Sequence, residues 1–364
     1  MKYLCLKCGK MTAVTTKKAR CDCGGLWKLE YKPPKFDLSL IDRDTWGMFR
    51  YRAFMPLEGE TWREISLGEG MTPVIQFNED VLLKMEYFMP TLSFKDRGAA
   101  ILIAHCKAIG VNSVVQDSSG NAGNSVAAYC AKAGIDCEIF VPEGTSPQKI
   151  NMIQSHNARV NIIPGTRDTC ADACRAKVDH EGMYYANHVY QPFFYQGTKT
   201  YIYEIYEQLH RIPQNIFVPL GNGTLFIGIV KALEELLDSA VIEKMPNIIA
   251  VQSEHCAPFV KAVMNEEHHP AVIVPSPTMA EGIAIGVPMR GDEILEYIYK
   301  YGIKVITAPE NQIVKARMDL AAKGIYCEHT TAATYAAYLK YCEIKGRTPD
   351  SLIPMCGAGL KSDH

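Results

Sequence analysis

Pro90-Thr91-Leu92-Ser93-Phe94-Lys95-Asp96-Arg97-Gly98 joins a short apolar run, Val81-Leu82-Leu83-Lys84-Met85, to a longer one that extends from Ala99 to Cys106 and closes at Gly110. The first run has the length of a buried strand, and the second that of an apolar helix stopped by glycine. Lys95 therefore falls at a strand-to-helix junction. Apolar neighbours and the positive end of a helix disfavour the charged amine there, which makes it a candidate nucleophile toward an aldehyde. Position alone assigns no chemistry, because most lysines at helix starts are solvated surface groups.

Outward from that junction the alternation continues. Strands are expected at residues 113–116, 137–141 and 159–163, with helices at 124–133, before Gly134, and at 146–155. The rhythm then repeats as helix 198–209, strand 215–219, helix 225–237, strand 248–252, two further helices and a last strand at 351–355. Such alternation builds parallel sheets covered by helices. The expected class is α/β, with two doubly wound domains of mainly parallel sheet facing a ligand cleft, since ligands bind beyond the carboxyl ends of such strands. Ser118, Gly221 and Cys356 each follow a strand end in this reading. The stretch 46–62, rich in aromatics and charge, fits neither period.

A chain of 364 residues is long for one core and is expected to form two main domains and an appendage. The formal charge of -2, with no long basic run or basic-aromatic stripe, argues against nucleic acid as a partner. No apolar run approaches the roughly 20 residues that span a bilayer. Met1-Lys2-Tyr3-Leu4-Cys5 lacks a signal-peptide core, so the expectation is a soluble, cytoplasmic protein with no membrane partner. Of the thirteen cysteines, those after residue 100 are scattered singly, as buried reduced thiols are, and not as a secreted disulfide frame.

Near the start, Cys5-Leu6-Lys7-Cys8-Gly9 and Cys21-Asp22-Cys23-Gly24-Gly25 place two thiol pairs on glycine-bearing turns. Tetrahedral zinc takes four such soft ligands, so residues 1–32 resemble a zinc ribbon with Cys5, Cys8, Cys21 and Cys23 as ligands. The second pair, with Asp22 alone between its cysteines, departs from the usual two-residue spacing. Free thiols, or a ribbon without metal, are the other readings. Tyr31-Lys32-Pro33-Pro34 reads as a linker that ends the module, because two prolines interrupt helix and ladder hydrogen bonding alike.

Three strand-end turns carry further candidates. Gly221-Asn222-Gly223-Thr224, between a strand and a helix, can aim backbone N–H groups at a dianion, or be an ordinary turn. Ser118-Ser119-Gly120-Asn121 occupies the equivalent place in the first half, where Ser and Asn can also serve as helix caps. Cys356, in Cys356-Gly357-Ala358-Gly359-Leu360-Lys361, reads either as a core thiol after a strand or as a weak donor to a ligand.

With Leu67-Gly68-Glu69-Gly70-Met71-Thr72-Pro73, Gly197-Thr198-Lys199-Thr200 and Glu328-His329-Thr330-Thr331-Ala332-Ala333, these motifs resemble, in their order, the pyridoxal-phosphate enzymes of the tryptophan-synthase-β family, fold type II. The threonine-synthase-like branch is the nearest, over roughly residues 60–361. The resemblance implies a pyridoxal 5'-phosphate lyase that eliminates or replaces a β or γ substituent of a small amino acid. It implies that Lys95 carries the cofactor and moves the Cα proton, and that Gly221, Asn222, Gly223 and Thr224 cradle its phosphate. Ser118, Ser119, Gly120 and Asn121 would close on the substrate carboxylate, Asn121 also touching the ring hydroxyl, and Cys356 would lie near the pyridine nitrogen. Residues 33–90 with 191–364 would form the larger cofactor-binding domain and 91–190 the smaller substrate-closing one, in a homodimer whose ribbon carries no chemistry.

Two departures bear on the substrate. Threonine synthase holds a phosphate on its substrate, using a threonine after the motif asparagine and Ser and Arg residues before the Gly-x-Lys-Thr motif. Here Ala122 takes the first place, and residues 186–196 contain no arginine. A phosphate buried without cationic partners is costly, leaving only Lys149 or Arg159 to reach it from elsewhere. His188, Tyr190 and Tyr195 then either shape a different pocket or belong to the core. The alternative is a serine or threonine ammonia-lyase or a β-replacement enzyme using a non-phosphorylated substrate; a binding protein without turnover is a third reading.

Overall fold

Val114, Val115, Ile139 and Val141 are inaccessible to solvent, as expected of parallel strands covered on both faces. The computed structural model describes residues 1–57 and 59–361. The chain packs as two compact units, one of Met1–Gly70 with Met89–Thr200, the other of Met71–Phe88 with the chain from Tyr201 onward. Strands, in chain order, are β1 (Lys2–Cys5), β2 (Met11–Thr12), β3 (Trp27–Glu30), β4 (Val74–Gln76), β5 (Val81–Lys84), β6 (Ser113–Gln116) and β7 (Asp136–Pro142). They continue as β8 (Arg159–Ile163), β9 (Tyr184–Tyr185), β10 (Asn215–Pro219), β11 (Asn247–Ser253), β12 (Lys304–Ala308) and β13 (Ser351–Pro354).

The first unit holds a four-stranded parallel sheet in the order β8-β7-β6-β9 and a three-stranded antiparallel sheet, β2-β1-β3. Side-chain alternation in the small sheet turns Tyr3, Cys5, Trp27 and Leu29 inward. Tyr3 stacks on Trp27 at 5.9 Å and meets the edge of Phe193 at 6.1 Å, which seats the cysteine module on its own unit. The second unit holds a six-stranded sheet, β12-β11-β10-β13-β5-β4, parallel except for the β4–β5 pair. Helix His329–Lys345 supplies Ala332, Ala333, Ala336 and Ala337 to its core.

Several expected elements have different bounds. The helix expected at 198–209 is two, Pro192–Thr198 and Thr200–Leu209. Side chains compete with the backbone there: Thr200 Oγ1 donates to the Gly197 carbonyl at 2.7 Å, and Thr198 Oγ1 to that of Tyr195 at 3.2 Å. Helices expected from 124 and 225 begin at Asn121 and Thr224. Helix Arg167–Glu181, β4, β9 and β12 were not expected. Within residues 46–62 lies the 3-10 segment Met48–Phe54.

One buried acid gives the first unit a pH dependence. Glu69 Oε2 accepts from the Leu67 N–H at 2.8 Å and from Tyr129 Oη at 2.9 Å. Burial pushes its carboxyl up to about 7, against the opposing pull of these hydrogen bonds. The native state thus holds this proton more tightly than the unfolded chain. Stability from it is complete below pH 4.5 and is lost as pH rises through about 7. At about 1.4 kcal/mol per unit the loss is on the order of 3 kcal/mol. Denaturant unfolding from pH 4 to 8 should show that slope in the wild type and a flatter one in Glu69→Gln; parallel curves would refute the assignment.

Candidate active site

Lys95 is the first residue of helix Lys95–Ala108 and is half-buried. Its Nζ lies 4.6 Å from the ring centre of Phe94 and 5.8 Å from that of Phe194. The turn before it is fixed by Asp96, which accepts from the Thr91 N–H at 2.7 Å and from the hydroxyls of Thr91 and Ser125 at 2.5 Å each. Arg97 Nη1 donates to Thr200 Oγ1 at 2.9 Å, tying the same helix to the end of the Gly-x-Lys-Thr stretch. Gly98 and Gly197 let that helix and Pro192–Thr198 meet. A Cβ on Gly98 would collide with the Phe194 ring, and one on Gly197 with the Arg97 carbonyl. Phe194 thereby reaches Lys95.

His188 shares that ring, its imidazole centre 5.8 Å from Phe194. Burial first, then the charges of Lys95 and Arg167, hold it far below the usual histidine range, so it is neutral. An amine held against aromatic faces, beside a neutral imidazole, suits nucleophilic and proton-transfer chemistry.

Residues 118–120 link β6 to helix Asn121–Ala133 and are half-buried. The N-cap position of that helix falls on Gly120, which has no side chain to cap with, and on neither Ser118 nor Asn121. Instead Ser118 Oγ accepts from the Gly120 N–H at 3.4 Å, folding the loop on itself. Gly123 is required, because a Cβ there would overlap the Ser118 carbonyl oxygen.

In the second unit, residues 221–224 join β10 to helix Thr224–Asp238. Gly223 is the cap residue at φ 77°, with no side-chain cap bond, and a Cβ on it would strike Ile294. A Cβ on Gly221 would come within 3.0 Å of the Ile283 backbone. Segment 281–286 thus lies against the turn, held by the Gly282 N–H donating to Thr330 Oγ1 at 3.1 Å. Sequence reasoning passed over this segment, whose signal was two glycines, Gly282 and Gly286, spaced by Ile-Ala-Ile. Cys356 follows β13 and is buried, its N–H donating to Thr331 Oγ1 at 3.1 Å. Also unforeseen is the ion pair of Lys84 Nζ with Glu204 Oε2 at 2.7 Å, both fully buried. Glu204 takes the N–H groups of Met71 and Thr72 at 2.8 and 3.2 Å, satisfying a charge that would otherwise be costly.

Cys5, Cys8, Cys21 and Cys23 bring their sulfurs within 4.8 Å of one another despite the irregular spacing. Gly9 and Gly24, at φ 71° and 82°, make the two turns. Their N–H groups return to the carbonyls of Cys5 and Cys21 at 3.0 and 2.8 Å. Burial opposes ionisation of Cys5, but the amides of Cys8 and Lys7 and the neighbouring thiols bring it down to about 7. Thiols that compete to ionise are what a dication satisfies.

Residues 65–357 match the profile of the family described as "Pyridoxal-phosphate dependent enzyme". The threonine synthase of Methanocaldococcus jannaschii is 30% identical over 375 residues, covering 98% of this chain and 92% of that protein. That of Mycobacterium leprae is 30% identical over 299 residues, covering 80% and 81%. Among solved structures, threonine deaminase isoform 2 from Solanum lycopersicum superposes with a TM-score of 0.71 at 20% identity, over 90% of this chain and 92% of that one. A pyridoxal 5'-phosphate-dependent aspartate racemase gives 0.67 at 22% identity, over 79% and 90%.

Proposed function

The chain belongs to the pyridoxal-phosphate dependent enzyme family, as a threonine-synthase-like lyase, and on that premise we propose that Lys95 carries the cofactor while residues 221–224 cradle its phosphate. The observation that carries the proposal is the turn whose Gly221 and Gly223 have no room for a side chain and which leads into a helix of 15 residues with no side-chain bond at its N-cap. Its N–H groups and the positive helix end suit a phosphate dianion. When bound, pyridoxal phosphate supplies an aldehyde and an electron-withdrawing ring that makes the Cα–H of a joined amino acid acidic.

Lys95, at the start of its helix, takes and returns that proton. Ser118, Ser119, Gly120 and Asn121 receive the substrate carboxylate, with Asn121 also against the ring hydroxyl. Cys356 would lie by the pyridine nitrogen of the bound cofactor, where a thiol is a weaker partner than a carboxylate, a choice that suits elimination and replacement better than transamination. In this reading residues 33–90 with 191–364 bind the cofactor and 91–190 close on substrate, although residues 33–70 and 191–200 pack in the same compact unit as 91–190. Exposed Met264, Val272 and Val274 support a homodimer, and thirteen cysteines without a disulfide support a cytoplasmic setting. Ala122 favours the reading as an ammonia-lyase or β-replacement enzyme of non-phosphorylated substrates. A panel of phosphohomoserine, serine, threonine and acetylserine, followed by cofactor absorbance and product analysis, tests the assignment. A panel that changes neither would leave it without support.

The ribbon is assigned a structural zinc on Cys5, Cys8, Cys21 and Cys23, supported by their sulfur separations. Elemental analysis of protein purified without chelator should give about one zinc per chain, and Cys21→Ser should lose it. Metal-free wild-type protein would refute the site.

A further inference from the structure

One carboxylate joins two segments of the first unit, those that follow β6 and β9. Asp117 is the residue between β6 and the loop 118–120, and its own N–H is held by Gln116 Oε1 at 3.0 Å. Its Oδ1 accepts from Tyr185 Oη at 2.7 Å and from Asn187 Nδ2 at 2.6 Å. Both donors are buried and belong to the neighbouring parallel strand, at the carboxyl end of β9 and just after it. The Asn187 amide also reaches the Tyr185 hydroxyl at 3.2 Å, while its Oδ1 accepts the N–H groups of Val189 and Tyr190 at 2.8 and 3.2 Å. His188 is therefore held from both sides by the residue that grips Asp117.

The environment explains why an ionisable group sits there. Asp117 faces helix Arg167–Glu181, where the Cys170 and Cys174 thiols are pushed up first by burial and then by its charge. A carboxylate in such surroundings needs strong donors, and charge-assisted hydrogen bonds are about twice as strong as neutral ones. The bonds run between segments some seventy residues apart in sequence, at the carboxyl ends of the adjacent strands β6 and β9, which lead into the 118–120 loop and toward His188.

We propose that Asp117 is a positioning residue that, through Asn187 and Tyr185, locks the substrate loop 118–120 to the segment bearing His188. The part played by the loop rests on the proposed function; the lock itself does not. Breaking it frees both segments together, weakening amino-acid binding and leaving the cofactor phosphate turn, in the other unit, untouched.

The test has two arms on the cofactor-loaded enzyme. In hydrogen exchange, Asn187→Ala should speed the amides of residues 118–121, and Asp117→Ala those of 187–190, each by about tenfold or more. In titrations read by cofactor absorbance, Asp117→Ala should weaken the best amino acid of the panel by about 10- to 100-fold, with cofactor affinity within about threefold. Asp117→Asn, whose Oδ1 can accept from the same donors, should recover affinity to within about threefold, and Asp117→Ala with Asn187→Ala should be no worse than either alone. Should the alanine variant fail to fold, Tyr185→Phe removes one donor and should give a smaller effect of the same kind. Unchanged exchange at 118–121 in Asn187→Ala overturns the lock. Equal losses of cofactor and amino acid, or a lowered melting temperature with amino-acid affinity intact, reduce Asp117 to a stabilising residue. If the wild type answers no amino acid, the proposed function falls and the exchange arm alone decides the lock.

Discussion

Lys95→Ala should lose turnover by about 10⁴-fold or more, since it removes the residue proposed both to carry the cofactor and to act as general base. In the wild type, borohydride should fix the cofactor to the peptide that contains Lys95, and the alanine variant should yield no labelled peptide. Two other lysines are fully buried, and each is engaged elsewhere. Lys84 is paired with Glu204 at 2.7 Å, and Lys199 donates to the Phe54 carbonyl at 3.3 Å. Lys95 instead lies half-buried at a helix start against two aromatic rings. Its replacement leaves in place the hydrogen bonds from Thr91 to Asp96 that hold the turn. The variant should therefore melt within a few degrees of the wild type, which separates lost chemistry from lost folding. Label on Lys84 or Lys199 would overturn the assignment.

What the sequence revealed here followed from local, apolar signals. Strands at 113–116, 159–163 and 215–219 lie at the expected residues because each is a short apolar or β-branched run between breakers. Gly134 ends its helix in the left-handed region at φ 66°, as a glycine stop does. The helix Arg167–Glu181 escaped because two of its three buried residues are Cys170 and Cys174, which read as thiols and not as an apolar stripe. Strand β12 escaped because its burial is incomplete, with Lys304 exposed and Val305, Ile306 and Thr307 only half-covered. Motif order exposed the candidate site residues, but not what supports them. Glu204 meets Met71 across 133 positions, and Asp117 meets Asn187 across 70. No periodicity encodes such pairs.

The same side chains decide what the substrate carries. Ala122, where a threonine would offer a hydroxyl, is buried and gives no donor. In residues 186–196 the side-chain amides of Asn187 and Gln191 are spent internally, while His188 Nδ1 and Gln196 Oε1 are buried without a hydrogen-bond partner among the described residues. The Asn187 amide is on Asp117, and Gln191 takes the Tyr184 hydroxyl at 3.1 Å while donating to the Tyr185 carbonyl at 2.9 Å. His188 is neutral, Phe193 stacks on His105 at 3.7 Å, and Phe194 covers Gly98. Arg159 is exposed and paired with Glu138 at 3.2 Å, so of the two cations considered from sequence only Lys149 remains. A charge-assisted hydrogen bond to phosphate contributes about 1.5–3 kcal/mol, so two missing ones correspond to roughly a hundredfold to ten-thousandfold in affinity. Phosphohomoserine should therefore bind no better than homoserine when both are titrated against the cofactor absorbance, and Lys149→Ala should not change their ratio. The phosphate cradle proposed at residues 221–224 cannot serve a second phosphate while it holds that of the cofactor. Tight binding that requires the phosphate, and that Lys149→Ala abolishes, would instead return the chain to the substrate of its threonine synthase relatives.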